Sequence, residues 1–134
     1  MCGILICIPL SSQQFYFKQY QVDKGLSHNS VWCIMQDSYG FMWFGTNDGL
    51  NRFDGSNFRT YKNSIADSLS LGNNSVKALY EDARGNIWVG TNKGIFIFDH
   101  NTDSFTPFDK KTAFGVVISS EIKKIAHSRN GQIW

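Results

Sequence analysis

Histidine and cysteine are the residues of this sequence that could bind a transition metal. The three histidines, His28, His100 and His127, share no ligand spacing and lie in different parts of the chain. Zinc sites need three or four such ligands, commonly at short regular spacings. Cys33 stands among apolar residues, which favours a packed thiol. We therefore predict no metal site and no cofactor, and we interpret the histidines as surface or turn residues.

Carboxylates are the second candidate for chemistry, because a pair of acids can hydrolyse a glycosidic bond. Asp37-x-x-Gly40-x-x-Trp43 resembles the Asp-x-Gly-x-x-Trp turn of sialidase-type propellers, but it is one residue longer. That turn is structural, and no two carboxylates are placed as acid and nucleophile. The Gly and Trp repeats of quinone-dependent dehydrogenase propellers fit the sequence poorly. We predict no catalytic residue in this chain.

Sugar recognition normally combines aromatic faces with amide and carboxylate groups, and several residues of these types stand near loop ends. They are His28, Trp32, Asn47, Asp48, Asn92 and Lys93. Turn formation explains the Asn residues better, and Trp32 sits in a strand pattern that favours packing. The ligand-binding residues therefore stay unassigned. A net charge of +2 with dispersed Lys and Arg excludes the basic stripe of a nucleic-acid interface.

An internal repeat organises these residues. Asn29-Ser30-Val31 returns as Asn74-Ser75-Val76, and the segments 29–54 and 74–99 share 12 identities in 26 positions without a gap. A third copy begins at Ile122 and reaches Gly131 and Trp134. A repeat of this length is typical of propeller blades and solenoids.

Each repeat divides into four short extended pieces separated by turn residues, which predicts an all-β fold made of β-propeller blades of four antiparallel strands. The strands predicted for the second repeat are 76–81, 87–91, 95–99 and 104–108. We expect an incomplete propeller of about two blades plus the start of a third. The first blade is assigned to 30–62, the second to 75–108 and the start of the third to 121–134.

Twelve repeat positions are predicted to be structural. Glycines at the first hairpin and at the end of each Asn-x-Gly segment reverse the chain. Glycines inside strands allow neighbouring blades to approach, and the tryptophans fill the space between blades. The positions are Gly40, Trp43, Gly45, Thr46, Gly49, Gly85, Trp88, Gly90, Thr91, Gly94, Gly131 and Trp134.

The start of the chain has a different composition. An apolar stretch runs into Ser12-Gln13-Gln14, which resembles the end of a secretory signal although no basic residue precedes it. We interpret 1–14 as the remnant of such a signal, and a short β-strand is the alternative. The following segment, 15–29, repeats the Phe-x-x-Tyr spacing of Phe58 and Tyr61, so we assign it to an outer closing strand and a connector.

The repeat motif resembles a known family. The residues that carry the resemblance are Gly25-Leu26-Ser27-His28-Asn29-Ser30-Val31, Asp37-x-x-Gly40-x-x-Trp43-x-Gly45-Thr46-x-x-Gly49-Leu50-x-x-Phe53-Asp54 and their second copies. They are similar to the two-component regulator propeller repeats in the periplasmic sensors of Bacteroidetes hybrid two-component histidine kinases.

The resemblance implies a multi-blade periplasmic sensor, followed by a membrane helix, a histidine kinase and a transcription regulator. It implies carbohydrate sensing and signal transduction, with kinase activity in the downstream domains. The implied partners are the remaining blades and an oligosaccharide, without nucleic acid or membrane contact by this segment. The full-length protein would be membrane-anchored and dimeric. A protein-interaction propeller and, less favoured, a propeller glycosidase are the alternatives.

We predict that the isolated 134-residue chain is marginally folded or aggregates. Two blades leave apolar faces uncovered, and repeat proteins generally need about three units for stability. Thermal unfolding followed by circular dichroism, together with light scattering, tests this. A sharp, cooperative transition of a monomer would contradict the prediction.

Overall fold

β-Strands are almost the only regular secondary structure in the described part of the chain. The computed structural model describes residues 21–108 and 121–125. Val22–Lys24 forms one turn of 3-10 helix. Eight strands, numbered β1 to β8 in chain order, follow: Val31–Gln36, Met42–Thr46, Gly49–Phe53, Phe58–Tyr61, Val76–Glu81, Ile87–Thr91, Gly94–Asp99 and Ser104–Pro107. The prediction of an all-β fold is confirmed.

Two four-stranded antiparallel sheets account for the two complete repeats. Their strand orders are β1-β2-β3-β4 and β5-β6-β7-β8, so each strand pairs with the next one along the chain. This is the up-and-down connection of a propeller blade. The predicted strands of the second repeat agree with the structure, except that β7 begins at Gly94 and β8 ends at Pro107. The two sheets lie inside the ranges 30–62 and 75–108 that were assigned to the two blades. The exact boundaries of the blades stay a prediction.

Some of the predicted features lie outside the described residues. These are the signal remnant 1–14, the first six residues of the closing-strand segment 15–29, His127, and the third-repeat residues Gly131 and Trp134. Of the third repeat, 121–125 is described, and the backbone N–H of Ile122 donates to the carbonyl oxygen of Thr91 at 2.8 Å. The start of the third repeat therefore lies against the end of β6.

A single aspartate shapes the first hairpin of each blade. Asp37 Oδ1 accepts the backbone N–H groups of Tyr39 at 3.0 Å and Phe41 at 2.9 Å. Its Oδ2 accepts the indole N–H of Trp43 at 2.7 Å. Gly40 closes the same turn with a φ of 92°, a conformation that costs glycine little. The Asp-x-x-Gly-x-x-Trp motif therefore forms a turn, and its aspartate also orients the tryptophan.

The main core lies between the two sheets. Trp43 has no exposed surface, and its ring centroid lies 5.9 Å from that of Tyr61 on β4 and 5.1 Å from that of Phe98 on β7. The cluster draws on both sheets and on the connection between them. Its members are Trp43, Leu50, Tyr61, Leu71, Val76, Ile87, Val89, Phe98 and Phe105. The interpretation of Trp43 as a wedge between blades agrees with this packing.

Glycines inside strands mark the closest approach of neighbouring repeats. A Cβ atom on Gly45 would lie 2.7 Å from Cγ1 of Val76 on β5 and 2.4 Å from Sγ of Cys33. A Cβ atom on Gly90 would lie 2.7 Å from Cγ2 of Ile122, in the third repeat. All three distances are too short for a side chain at either glycine. The expected close approach between repeats is therefore present at both glycines.

The second hairpin of each blade is held by a buried threonine. The Thr46 hydroxyl donates to the carbonyl oxygen of Gly49 at 2.8 Å, and the Thr91 hydroxyl donates to that of Gly94 at 2.9 Å. Gly49 has a φ of 120°, and its N–H donates to the carbonyl oxygen of Asn74 at 2.6 Å. That bond ties the first blade to the segment that leads into the second.

Replacing Trp43 with Phe should destabilise the chain more than replacing Trp88 with Phe. Both indoles donate to an aspartate, but Trp43 is fully buried by the second blade while Trp88 is half-buried. The loss of volume and of a buried hydrogen bond should cost about 2 kcal/mol at Trp43. The rate of limited proteolysis, which reports the opened population, should rise more for Trp43→Phe than for Trp88→Phe. Equal rates for the two variants would show that packing between blades does not hold Trp43.

Candidate binding groove on the innermost strands

The first strands of the two sheets lie side by side, and alternate residues of β1 are exposed. β1 packs beside β5, as the inner strands that line the channel of a propeller do. Exposure alternates along β1, where Trp32 is 55% exposed and Ile34 is 59% exposed. The residues one repeat later, Lys77 and Leu79, are half-buried on β5.

A groove of about 340 Å³ opens at the beginning of these two strands. It is lined by Trp32, Lys77, Glu121 and Lys123. The Nζ atom of Lys77 lies 3.4 Å from the centroid of the Trp32 ring, in a cation–π arrangement that joins the two blades. The groove thus combines an aromatic ring, two ammonium groups and one carboxylate from three successive repeats.

Both inner strands are irregular at this groove. On β1, Val31 pairs with Thr46 and Cys33 pairs with Gly45, so Trp32 is an extra residue in the ladder. On β5 the register shifts in the same way between Val76 and Ala78, which leaves Lys77 as the extra residue. A β-bulge redirects a side chain and interrupts pairing locally. The two bulges place Trp32 and Lys77 at the mouth of the groove.

The expectation that Trp32 packs within the sheet is wrong. More than half of the side chain is exposed, because β1 is an innermost strand whose alternate residues face away from the interblade core. Packing would have required the second face of β1 to be covered by another sheet. In the described structure the Lys77 ammonium group covers part of the ring instead.

The other polar residues considered for sugar recognition take part in local structure. Asp48 forms an ion pair with Lys62 at 2.6 Å. The amide oxygen of Asn47 accepts the Ser75 hydroxyl at 3.3 Å, and the Nδ1 atom of His28 accepts the backbone N–H of Ser30 at 2.9 Å. Asn92 and Lys93 form the exposed turn between β6 and β7. The structure does not bring these residues together with Trp32 in one groove.

Sequence reasoning missed three of the residues that line the groove, namely Lys77, Glu121 and Lys123. A signal was available, because Lys77 aligns with Trp32 in the ungapped repeat and Lys123 occupies the same position in the third copy. The repeat motif is defined by identical residues, and this position differs between the copies.

His100 lies between the blades, which corrects its interpretation as a surface residue, although it does occupy a turn. Its ring centroid lies 4.6 Å from that of Tyr39 and 5.2 Å from that of Phe98. The Nε2 atom is buried, has no hydrogen-bond partner and lies 3.5 Å from Oδ2 of Asp37. His100 therefore packs between the two blades. Its position in a turn of the sequence did not predict this packing.

A polar cluster ties the outer strands together. The Tyr61 hydroxyl donates to Asp103 Oδ1 at 2.9 Å, and Arg59 forms an ion pair with the same carboxylate. Burial, together with the hydrogen bond to Asp103, raises the pKa of Tyr61 well above its usual range. These residues border a second cleft, of about 300 Å³. Because the charges are engaged with each other across the blades, the cluster is a structural tie.

Two further ionisable groups have shifted pKa values with structural causes. Burial raises the pKa of the Cys33 thiol to about 11, which keeps it protonated and unreactive at neutral pH. Burial opposes ionisation of Asp82, but hydrogen bonds from the Trp88 indole and from Asn86 outweigh it and hold the pKa of that carboxyl below its usual range.

Within residues 21–108 and 121–125, no three His, Cys, Asp or Glu side chains are grouped closely enough to hold a metal ion. The same stretch of chain contains no helix with the length and apolar character needed to cross a bilayer.

Parts of the chain are similar to two-component regulatory proteins. The profile described as "Two component regulator propeller" matches residues 25–48 and 70–93. The chain is 43% identical over 68 residues to histidine kinase P4 of Formosa agariphila, a match that covers 51% of this chain and 5% of that kinase.

Solved structures with a similar fold come from Bacteroides thetaiotaomicron. The extracellular domain of a putative hybrid two-component system superposes with a TM-score of 0.76 and 31% identity, over 87% of this chain and 17% of that domain. The extracellular domain of a putative one-component system superposes with a TM-score of 0.64 and 23% identity, over 92% of this chain and 17% of that one. The chain therefore spans a small part of each relative's length.

Acid should destabilise the chain partly through Asp82. Because its folded-state pKa is depressed, its contribution is complete above the unfolded value of 3.8 and is lost as the pH falls through the folded value. Circular dichroism between about pH 6 and about pH 2 should show a shallower acid transition for Asp82→Asn than for the wild type. An acid transition of the same steepness in both proteins would contradict the assignment.

Proposed function

We propose a sensing role for this chain from the premise that its two complete blades are two-component regulator propeller repeats. It is part of the extracytoplasmic ligand-sensing propeller of a hybrid two-component kinase. The observation that carries the proposal is the superposition on the extracellular domain of a putative hybrid two-component system, at 31% identity and over 87% of the chain.

A periplasmic location is part of the same proposal. It is supported by the superposition on an extracellular domain at 31% identity and by the apolar start of the chain, which has the composition of a signal remnant. The kinase reaction and the transcription response belong to other domains of the full-length protein, which is membrane-anchored and dimeric. The role of this segment is non-catalytic.

Carbohydrate is the proposed ligand class. Support comes from the exposed Trp32 ring beside the polar groups of Lys77 and Glu121 in one groove. Indole rings pack against the C–H faces of sugars, while charged and polar groups bond to hydroxyl and acidic substituents. A plain protein-interaction propeller is the second candidate, favoured by the fully exposed Ile65 in the connection between β4 and β5. A glycosidase lacks a comparable supporting feature.

The other blades of the propeller are the proposed structural partners. Gly45 shows what a neighbouring repeat contributes, because Val76 of the second blade occupies the space beside it. Ile122 occupies the equivalent space beside Gly90. Further repeats would extend the same packing around the ring.

Binding of purified oligosaccharides to the intact protein should show saturable, micromolar or tighter affinity for one saccharide class. Isothermal titration calorimetry against a panel of neutral and acidic oligosaccharides measures this. The same saccharide should change autophosphorylation of the kinase, which separates sensing from passive binding. A folded protein that binds no member of the panel would overturn carbohydrate recognition, and saccharide binding without any change in phosphorylation would overturn signalling.

A further inference from the structure

The groove at the mouth of the inner strands is built from one repeat position. Trp32, Lys77 and Lys123 occupy equivalent places in three successive repeats, and all three line the groove. Three successive repeats thus each contribute the side chain at this position to one groove. The structural positions of the repeat are kept from copy to copy, whereas this one changes from an indole to two ammonium groups.

The bulges show that the residue at this repeat position does not take part in strand pairing. Trp32 and Lys77 are the extra residues of β1 and β5, and each side chain leaves its sheet at the irregularity. A regular ladder would pair these residues with the adjacent strand. Because bulges commonly redirect side chains toward binding sites, the repeated irregularity points to a ligand at the mouth of the channel.

The charge of the groove favours an anion. Lys77 and Lys123 contribute two positive charges and Glu121 contributes one negative charge, so the lining carries one net positive charge at neutral pH. Glu81, at the end of β5 and outside the groove lining, accepts the Ser38 hydroxyl at 2.6 Å and the Ser38 backbone N–H at 2.9 Å. Both carboxylate oxygens of Glu81 therefore accept hydrogen bonds from the first hairpin of the first blade.

The aromatic ring favours a ligand with an apolar face as well as a charge. Trp32 is 55% exposed even with the Lys77 ammonium group above its ring. A sugar ring presents C–H groups on one face, and a carboxylate on that ring would lie within reach of the ammonium donors.

We propose that this groove binds an acidic saccharide, with the sugar ring against Trp32 and its carboxylate between Lys77 and Lys123. The hydroxyl groups of the same saccharide donate to Glu121. The inference rests on the proposed sensing function and deepens it by naming the ligand class and the residues. Binding of the acidic ligand should weaken as salt is added, because partly exposed charge pairs are screened.

The test compares an alginate tetrasaccharide, which carries a carboxylate on every ring, with neutral cellotetraose, using calorimetry on the intact protein. The wild type should bind the alginate tetrasaccharide and bind cellotetraose at least tenfold more weakly. Lys77→Gln and Lys123→Gln should each weaken alginate binding about tenfold, the effect of losing one charge-assisted bond. Trp32→Ala should weaken the binding of both sugars.

Lys93→Gln is the matched control, because Lys93 is an exposed lysine in a turn outside the groove. It should bind the alginate tetrasaccharide as the wild type does. Circular dichroism of each variant checks that the blades remain folded. Equal weakening by Lys93→Gln would overturn the groove assignment in favour of nonspecific attraction.

The outcomes separate this inference from the sensing function. Saccharide binding that is unchanged in all three groove variants would overturn the groove site while leaving carbohydrate sensing in place. Cellotetraose binding as strong as alginate binding would overturn the acidic ligand class. A folded wild type that binds neither sugar would overturn the acidic-saccharide site, and the wider oligosaccharide panel then decides the sensing function.

Discussion

The burial of Trp43 between two sheets is the constraint on which the rest of the described structure depends. An indole can be buried without cost only if its N–H has an acceptor, and Asp37 supplies it at 2.7 Å. The same carboxylate accepts two backbone N–H groups and so forms the first hairpin. One side chain thus links the turn, the strand that follows it and the packing of the next blade.

Close packing around this tryptophan explains the remaining features of the interface. Gly45 leaves room for Val76, so the inner strands come close enough for the second sheet to cover Trp43. Arg59, Tyr61 and Asp103 then connect the outer strands. Cys33 and Met35 of β1 pack against the interblade core, whereas Trp32 of the same strand stays exposed and lines the groove.

The repeat made the fold predictable to a considerable extent. Turn glycines, paired tryptophans and the four extended segments of each copy were sufficient to place β5 to β8 within a residue at their ends. The groove was less predictable, because Trp32 follows the same strand pattern as a packed residue. The burial of His100 was missed for a similar reason, since its neighbours Tyr39 and Phe98 are distant from one another in sequence.

The sequence by itself determined the period, the strand order within a blade and the turns, because these depend on residues close together in the chain. Tertiary structure alone decided which face of β1 stays open, how Lys77 reaches Trp32 and which charges are paired. Those properties arise from distances between residues of different repeats, such as the 3.4 Å from Lys77 Nζ to the Trp32 ring. A linear pattern carries periodicity, but the environment of a side chain depends on which blade packs beside it.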